Sequence, residues 1–312
     1  MRAAALWSTA AAALLVAIGL AAAGVGEEPG ALSNWRALAL GVVQGLTELL
    51  PISSSGHLGL VPWLGDWRYL AEHPDFNKTF DVALHLGTLV AVAAYFRSDI
   101  AVLVAAWRRS VRRRAIREPE ERVAWLVAIA TLPAAAAGAA GEGVIEEHLG
   151  HPWQIAILLA VFAVVLWIAD RTAERHELRD LGLRSAVAVG LAQAFSLMPG
   201  VSRSGITITA GRFLGLTREA AARFSFLLLI PIVLGAVILR GWTGMVRGDL
   251  PDGWVGPFLV GTIAAGASGL AAISALLGYV RRHDYSVFVV YRLLAATVVL
   301  LLIATGVRAA EF

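Results

Sequence analysis

The sequence predicts an all-α integral membrane protein, a bundle of six membrane-spanning helices with two re-entrant helical hairpins arranged as an inverted-topology repeat. Three observations support this fold class. Hydrophobic residues make up 58% of the 312 residues and charged residues only 16%, long apolar runs recur along the chain, and one polar, helix-breaking segment occurs twice. This composition excludes an ordinary soluble domain, and the absence of cysteine excludes disulfides, thiolate catalysis and cysteine-based metal sites.

An N-terminal apolar segment, residues 1–30, precedes the predicted bundle. Arg2 is followed by an apolar stretch that ends near Val25, before Glu27 and Glu28. This pattern is typical of either a signal peptide or an uncleaved extra span, and both alternatives place Glu27 outside the cytoplasm. We expect residues 31–312 to form a single membrane domain, with repeat halves at about 36–170 and 185–307.

Six spans are predicted from the length of the apolar runs. They lie at about residues 79–97, 122–141, 153–170, 219–240, 255–278 and 286–307. Arginines cluster between Arg97 and Arg122 and again between Arg171 and Arg184, whereas the loop between residues 142 and 151 contains no Arg or Lys. Short cytoplasmic loops are rich in basic residues, so the arginine-rich loops should all lie on the cytoplasmic side. The six spans satisfy this rule only if neither copy of the repeated segment crosses the membrane.

The repeated segment matches residues 41–57 with residues 190–205. The positions that recur are Gly41, Gln44, Ser53, Ser55 and Gly56, which correspond to Gly190, Gln193, Ser202, Ser204 and Gly205. Residues 37–50 allow about 21 Å of helix before Pro51, too short for a hydrocarbon core of about 30 Å. We therefore predict two re-entrant hairpins of opposite orientation, with their tips near the membrane centre. The alternative, two kinked but spanning helices, would reverse the basic loops of one half.

The first hairpin contains an acid and an imidazole at membrane depth. Glu48 lies one helical turn after Gln44, where a carboxylate can ligate a divalent cation or act as a base. The alternative role for Glu48 is a structural hydrogen bond to the hairpin backbone. His57 follows the break by one turn and is either a catalytic group or a hydrogen-bonded core histidine.

The start of the helix after Pro51 carries three consecutive hydroxyls. Ser53, Ser54 and Ser55 offer hydroxyl groups and backbone N–H groups at a helix N-terminus, where the dipole favours an anion. Serine is also an ordinary cap residue, so this signal alone is weak. Its proximity to Glu48 and His57 favours a catalytic role.

The second hairpin contributes a guanidinium. Arg203 lies at the predicted tip between Ser202 and Ser204, and Thr207 follows one turn later. A guanidinium donates bidentate hydrogen bonds to phosphate and stays charged even when desolvated. The two tips together predict a site for a phosphorylated group within the bilayer.

Other polar residues receive structural interpretations. Asp81 and His85 share one face of a predicted span, and we favour an interhelical hydrogen-bonding role over a place at the site. Arg212, Arg218 and Arg223 flank the start of a later span and are interpreted as topological anchors at the cytoplasmic surface.

The two hairpins resemble the signature segments of the bacterial undecaprenyl-diphosphate phosphatase family, also called bacitracin-resistance proteins. One signature places Glu or Gln four residues before a Glu, followed by Pro-x-Ser-Ser-x-Gly-His, and it matches Gln44, Glu48 and residues 51–57. The other, Pro-Gly-x-Ser-Arg-Ser-x-x-Thr, matches residues 199–207. The resemblance covers about residues 36–307, and the two motifs together are highly specific.

This resemblance implies hydrolysis of the C55 isoprenoid diphosphate carrier to its monophosphate, which recycles the carrier for cell-wall synthesis and confers bacitracin resistance. Residues 31–312 are then a single membrane catalytic domain in the bacterial plasma (inner) membrane, with its site at the outer face. The implied cofactor is a divalent cation, Mg²⁺ or Ca²⁺. The expected partners are the polyprenyl diphosphate substrate and membrane lipid, with no nucleic acid; a homodimer is left open.

The resemblance also implies roles for the motif residues. Glu48 and Gln44 hold the metal or activate the nucleophile, Ser54 or His57 attacks the terminal phosphorus, and Arg203 binds the diphosphate. The remaining substrate-binding residues are Ser53, Ser55, Ser202, Ser204 and Thr207. Gln44 stands where many members have Glu, so Glu48 is expected to be the principal acidic ligand or base.

Two other function classes remain as alternatives. A transporter or flippase of a phosphorylated lipid would use the same inverted repeat and the same anion-binding tip. Such a protein needs no nucleophile, so the clustering of Glu48, Ser54 and His57 favours chemistry. A purely structural membrane scaffold would leave the buried charges unexplained.

Overall fold

The computed structural model describes residues 32–247 and 253–311, and the apolar segment predicted at residues 1–30 lies outside them. Within these ranges the chain is helical, and the only strand-like pairing described is an isolated bridge between His176 and Leu216. The α-helices are α1 Asn34–Leu49, α2 Ser54–Gly65, α3 Arg68–Glu72, α4 Pro74–Tyr95, α5 Arg97–Arg113, α6 Pro119–His148, α7 Pro152–Asp170, α8 Leu183–Ala194, α9 Arg203–Phe213, α10 Arg218–Arg247, α11 Val255–Val280 and α12 Ser286–Ala304. Short 3-10 helices occupy Leu178–Asp180 and Phe195–Leu197.

Five of these helices are long and apolar enough to cross a membrane: α6, α7, α10, α11 and α12. They coincide with five of the six predicted spans, and α6 and α10 extend beyond the predicted ends. The span predicted at 79–97 coincides with α4, which meets the criterion only together with α5, and the two helices are bent by 81°. The arginine-rich segment after Arg97, expected to be a loop, therefore begins with the helix α5.

Corresponding helices of the two halves pack in corresponding ways. The first broken segment, α1 and α2, precedes α4, α6 and α7; the second, α8 and α9, precedes α10, α11 and α12. Helix α1 packs on α11, and helix α8 packs on α6. Helix α4 packs on α10, and α7 packs on α12. Each broken segment thus lies against the middle long helix of the opposite half.

Two of the repeated glycines explain this packing. A Cβ on Gly41 would lie 2.3 Å from the carbonyl oxygen of Gly261 in α11, and a Cβ on Gly190 would lie 2.7 Å from that of Ala130 in α6. Neither distance is sterically allowed, so the backbones approach this closely only because both positions are glycine. The same motif position therefore performs the same packing role in each half.

The helix breaks occur at the predicted places and share an unusual backbone conformation. Helix α1 ends at Leu49, before Pro51, and α2 begins after Ser53. Ser53 and Ser202 have φ of 79° and 77°, which is rare for a residue with a side chain. Each serine caps the following helix, because its hydroxyl accepts a hydrogen bond from the N–H group of Gly56 or Gly205, at 3.3 and 3.0 Å.

The interpretation of Arg212 as a surface anchor is wrong. Its side chain is only 1% exposed, and it donates hydrogen bonds to the carbonyl oxygens of Leu216, Asp170 and Thr172. The carboxylate of Asp170 lies 3.3 Å from Arg212 Nε and 2.7 Å from Arg218 Nε. Arg212 therefore satisfies carbonyl groups at the C-terminal end of α7, which a solvent-facing arginine could not do.

Candidate active site

The two helix breaks meet, and their side chains form an ion pair. Arg203, the first residue of α9, donates a 2.8 Å hydrogen bond from Nη2 to Oε1 of Glu48, in the last turn of α1. Ser204 donates a 3.0 Å hydrogen bond to the carbonyl oxygen of Leu50. The exposed fractions of the two charged side chains are 11% for Arg203 and 5% for Glu48. The structure therefore brings together groups that the sequence places in opposite halves.

Glu48 is the centre of a cluster of polar side chains. Its Oε2 accepts a 2.5 Å hydrogen bond from the Ser54 hydroxyl and a weaker one, at 3.4 Å, from Nε2 of Gln44. The imidazole Nε2 of His85 lies 3.5 Å from the same oxygen. We call Gln44, Glu48, Ser54, His85 and Arg203 the Glu48 cluster.

The local sequence explains how α1 and α2 present these groups. Gln44 and Glu48 lie one turn apart, so their side chains lie on the same face of α1. Pro51 follows directly after this helix, and the chain reverses within the next few residues. Ser54 therefore starts a new helix at the point where its hydroxyl reaches back to Glu48.

Arg203 is held from its other side by α10. Its Nη1 donates a 2.8 Å hydrogen bond to the carbonyl oxygen of Ser225. The Thr207 hydroxyl lies 2.8 Å from the Ser225 hydroxyl and 2.8 Å from the carbonyl oxygen of Arg203. The guanidinium of Arg203 therefore donates to Ser225 through Nη1 and to Glu48 through Nη2, and no hydrogen bond from its Nε is described among the residues that the structure covers. The guanidinium is thus oriented but keeps donors for an anion.

The hydrogen bonds described for His57 go to residues outside the Glu48 cluster. Its Nδ1 is 2.7 Å from the carbonyl oxygen of Ser53, and its Nε2 is 2.6 Å from the hydroxyl of Tyr291 in α12. Since a carbonyl oxygen only accepts, Nδ1 carries the proton in this arrangement. Both ring nitrogens therefore have hydrogen-bond partners, and the bond to Tyr291 joins α2 to α12.

The other predicted substrate-binding serines have different environments. Ser53 and Ser202 are buried caps, as described above. Ser204 is buried and donates to the opposite helix break. Ser55 is exposed, and its hydroxyl lies 3.5 Å from that of Ser53. Ser55 is thus the exposed residue of these four serines.

Four residues at or next to this site are not predicted as site residues from the sequence. His85 was assigned a structural role, yet its ring contacts Glu48. Ser225, Tyr291 and Arg292 were not singled out, although they contact Arg203, His57 and both helix breaks. Arg292 carried a usable signal, because an arginine inside an apolar span is a functional candidate by default. The sequence contains no comparable signal at Ser225 or Tyr291.

The oxygen atoms around Glu48 suit a hard divalent cation. The described residues contain no group of three or more His, Cys, Asp or Glu side chains that could hold a metal by themselves. Gln44 is fully buried, and its Oε1 has no hydrogen-bond partner among the residues that the structure describes. A carboxylate, an amide oxygen and a hydroxyl are the kinds of oxygen ligand that a hard divalent cation takes, so Glu48, Gln44 and Ser54 are the residues that could hold one.

The chain matches a known family over most of its length. A model of the family described as bacitracin resistance protein BacA matches residues 37–298. An undecaprenyl-diphosphatase from Thermomicrobium roseum is 45% identical over 282 residues, which cover 88% of this chain and 99% of that protein. One from Geobacter sulfurreducens is 47% identical over 267 residues, covering 85% of this chain and 96% of that protein.

The family match at residues 37–298 spans the Glu48 cluster and both helix breaks. These matches confirm the resemblance seen in the two motifs, and together with the apolar helices they identify a multi-pass membrane protein. The chain belongs to the bacitracin resistance protein BacA family.

Proposed function

We propose that this protein is an integral membrane phosphatase that hydrolyses undecaprenyl (C55 polyprenyl) diphosphate to undecaprenyl phosphate and inorganic phosphate. The observation that carries the proposal is the Glu48 carboxylate, which accepts hydrogen bonds from Ser54 at 2.5 Å and from Arg203 at 2.8 Å. A base, a hydroxyl nucleophile and a phosphate-binding guanidinium are thereby within reach of a single phosphoryl group. The family and the names of the matched relatives support the same activity.

Ser54 is the nucleophile in this proposal, and Glu48 is its base. The Ser54 hydroxyl already donates to Glu48, whereas both ring nitrogens of His57 have other partners. Ser54 Oγ attacks the terminal phosphorus and its proton passes to Glu48. The bond to the bridging oxygen breaks, and undecaprenyl phosphate leaves with that proton. Arg203 orients the terminal phosphate and offsets its charge.

Water completes the reaction. Glu48, again a carboxylate, takes a proton from water, whose oxygen attacks the phosphorus of phosphoserine. The bond to Ser54 Oγ breaks, Oγ recovers the proton from Glu48, and inorganic phosphate leaves. Gln44 and Glu48 would hold a divalent cation, which when bound offsets negative charge on the phosphate oxygens.

The short helices of both breaks support a re-entrant arrangement. Helices α1, α2, α8 and α9 contain 16, 12, 12 and 11 residues. At about 1.5 Å per residue, none reaches the thickness of a hydrocarbon core of about 30 Å. We propose that both breaks lie near the membrane centre in an inverted repeat, in the plasma membrane, and that the site opens to the outer face. The substrate's hydrocarbon chain then stays in lipid while its diphosphate reaches the Glu48 cluster.

A phosphate-release assay on purified protein tests the proposal. With polyprenyl diphosphate and Mg²⁺ or Ca²⁺, the protein should release inorganic phosphate, and a chelator should reduce the rate. Arg203→Ala should abolish release while the variant still purifies as a folded, monodisperse protein. Full activity in that variant would show that Arg203 is not the phosphate-binding residue.

The same protein in sealed vesicles separates hydrolysis from transport. A phosphatase releases phosphate from substrate on the accessible leaflet without prior movement of the headgroup. Translocation of an intact diphosphate headgroup without phosphate release would instead support the transporter alternative.

A further inference from the structure

Arg292 is a fully buried arginine in α12 that the proposed mechanism does not use. Its side chain is 1% exposed. Nε donates a 3.1 Å hydrogen bond to the carbonyl oxygen of Leu159, and Nη1 donates a 3.3 Å hydrogen bond to that of Pro51. Nη2 lies 3.1 Å from the carbonyl oxygens of both Gly200 and Val201.

These four acceptors belong to three separate parts of the fold. Leu159 is in α7, Pro51 is in the first helix break, and Gly200 and Val201 are in the second. One guanidinium therefore joins both breaks to each other and to a long helix. Arginine suits this task because its five N–H donors form a rigid planar fork.

The carbonyl groups that Arg292 binds lie close in the chain to two residues of the Glu48 cluster. Pro51 precedes Ser54 by three residues, and Val201 precedes Arg203 by two. Arg292 thus fixes the backbone immediately before the proposed nucleophile and immediately before the phosphate-binding residue. Small shifts of either backbone would change the distance between these two groups.

The helix that follows the second break leaves room for the Arg292 side chain. A Cβ on Gly205, a position of the repeated motif, would lie 3.0 Å from Arg292 Nη1, so glycine leaves room for the guanidinium there. Within the part of the chain that the structure describes, Arg292 pairs with no carboxylate. A charged group buried in a membrane protein without a counter-ion is costly, which argues for a role beyond filling space.

We propose that Arg292 is a positioning residue that sets the spacing between the two helix breaks, and hence between Ser54 and Arg203. The inference rests on the proposed phosphatase activity. The hydrogen bonds described for Arg292 go to backbone carbonyls and not to the Glu48 cluster, so it acts through the carbonyls that it holds.

Steady-state kinetics form the first part of the test, with three variants. Arg292→Met retains much of the side-chain volume but removes the donors, and kcat should fall about 100-fold because misplacement by about 1 Å has effects of this size. KM should change less than about threefold, since Arg292 does not touch substrate. Arg292→Lys should recover about tenfold of the loss, because a single ammonium can donate to some of these carbonyls. Arg281→Met, the same change at an exposed arginine, should leave kcat unchanged.

Hydrogen–deuterium exchange of the purified protein forms the second part and does not depend on activity. Arg292→Met should increase amide exchange at residues 50–56 and at residues 198–205, because both breaks lose a common anchor. Exchange in α11, which Arg292 does not contact, should stay as in the unmodified protein.

The outcomes are distinguishable. Unchanged kcat, or unchanged exchange at either break, in a folded Arg292→Met protein overturns the inference, as does an increase that includes α11. If Arg292→Met does not fold, Arg292→Lys serves as the test. A large loss of kcat in Arg292→Lys, with amide exchange at both breaks identical to that of the unmodified protein, also overturns the inference. If the unmodified protein releases no phosphate, the proposed function is refuted instead. The exchange measurement then still shows whether Arg292 holds the two helix breaks.

Discussion

The carboxylate of Glu48 and the guanidinium of Arg203 lie 155 positions apart in the sequence and 2.8 Å apart in the structure. One is the last polar group before the first helix break, and the other is the first residue after the second break. The pair exists because each broken segment packs on a long helix of the opposite half. Because the two halves pack in corresponding ways, the two helix breaks come together and form one site.

A phosphoserine at Ser54 is the first prediction. Reaction with substrate labelled in the terminal phosphate, quenched in acid, should leave acid-stable label on the protein, because a serine phosphate survives acid whereas a histidine phosphate does not. Ser54→Ala should show no label and lose at least about 1,000-fold in kcat. Ser274→Ala, which removes a hydroxyl bonded only to its own helix on the outside of the bundle, is the matched control. Acid-labile label that depends on His57 would contradict the assignment.

Glu48→Gln should retain the side-chain shape but lose the base and the ion pair with Arg203. We expect kcat to fall between about 100-fold and 10,000-fold, the usual contribution of a positioned general base. Single-turnover phosphate release measures the chemical step directly. Glu72→Gln, the same change at an exposed position, should have no effect. A Glu48→Gln protein with the single-turnover rate of the unmodified protein would exclude Glu48 as the base.

Gln44→Glu should strengthen divalent-cation binding. It adds a full negative charge one turn from Glu48, at the residue whose amide oxygen is buried without a partner. Titration of activity with Mg²⁺ after chelation should show half-maximal rate at a concentration about tenfold lower, since charge count tunes the affinity of such sites. Without added cation, repulsion between the two carboxylates should lower the thermal stability of the variant. An unchanged cation requirement would place the cation elsewhere.

Gly41→Ala and Gly235→Ala form a matched pair of stability predictions. A methyl group at Gly41 would collide with the backbone of α11, whereas one at Gly235 in α10 has no atom within 4 Å. Gly41→Ala should reduce the free energy of unfolding by about 1–3 kcal/mol or more, as overpacking does. Gly235→Ala should be neutral or stabilise the protein by up to about 1 kcal/mol through helix propensity. Thermal unfolding in detergent measures both, and equal melting temperatures would contradict the packing argument.

Arg212→Met should be more destabilising than Arg223→Met. Arg212 is buried against Asp170 and carbonyl oxygens at the end of α7, so its removal leaves a buried carboxylate and carbonyls without that partner. The expected cost is about 3–5 kcal/mol. Arg223 is 35% exposed, and its ion pairs with Asp99 and Glu219 are 3.4 and 3.3 Å long, so its removal should cost less than about 1 kcal/mol. Denaturant unfolding of the two variants should reveal the difference, and a smaller effect at Arg212 would be inconsistent with the contacts described here.

Much of this protein was predictable because the signals are local and repeated. Apolar length identified the long helices, since a hydrocarbon core requires about 20 apolar residues for each crossing. Proline and serine placed the helix breaks near residues 51 and 199, because proline cannot continue a helix and serine caps the next one. The recurrence of Gly41 as Gly190 was visible in the sequence, whereas the packing role that the two glycines share came from the structure.

The sequence by itself determined the helical membrane class, the two broken segments and the chemical groups that each one carries. Only the tertiary structure decided which groups meet. Glu48 pairs with Arg203, and His85 lies beside Glu48. His57 is hydrogen-bonded to Tyr291, and Arg292 is buried between the two helix breaks. The physical reason is that hydrophobic period and capping chemistry act within a few residues, whereas these contacts depend on close packing between helices far apart in the chain.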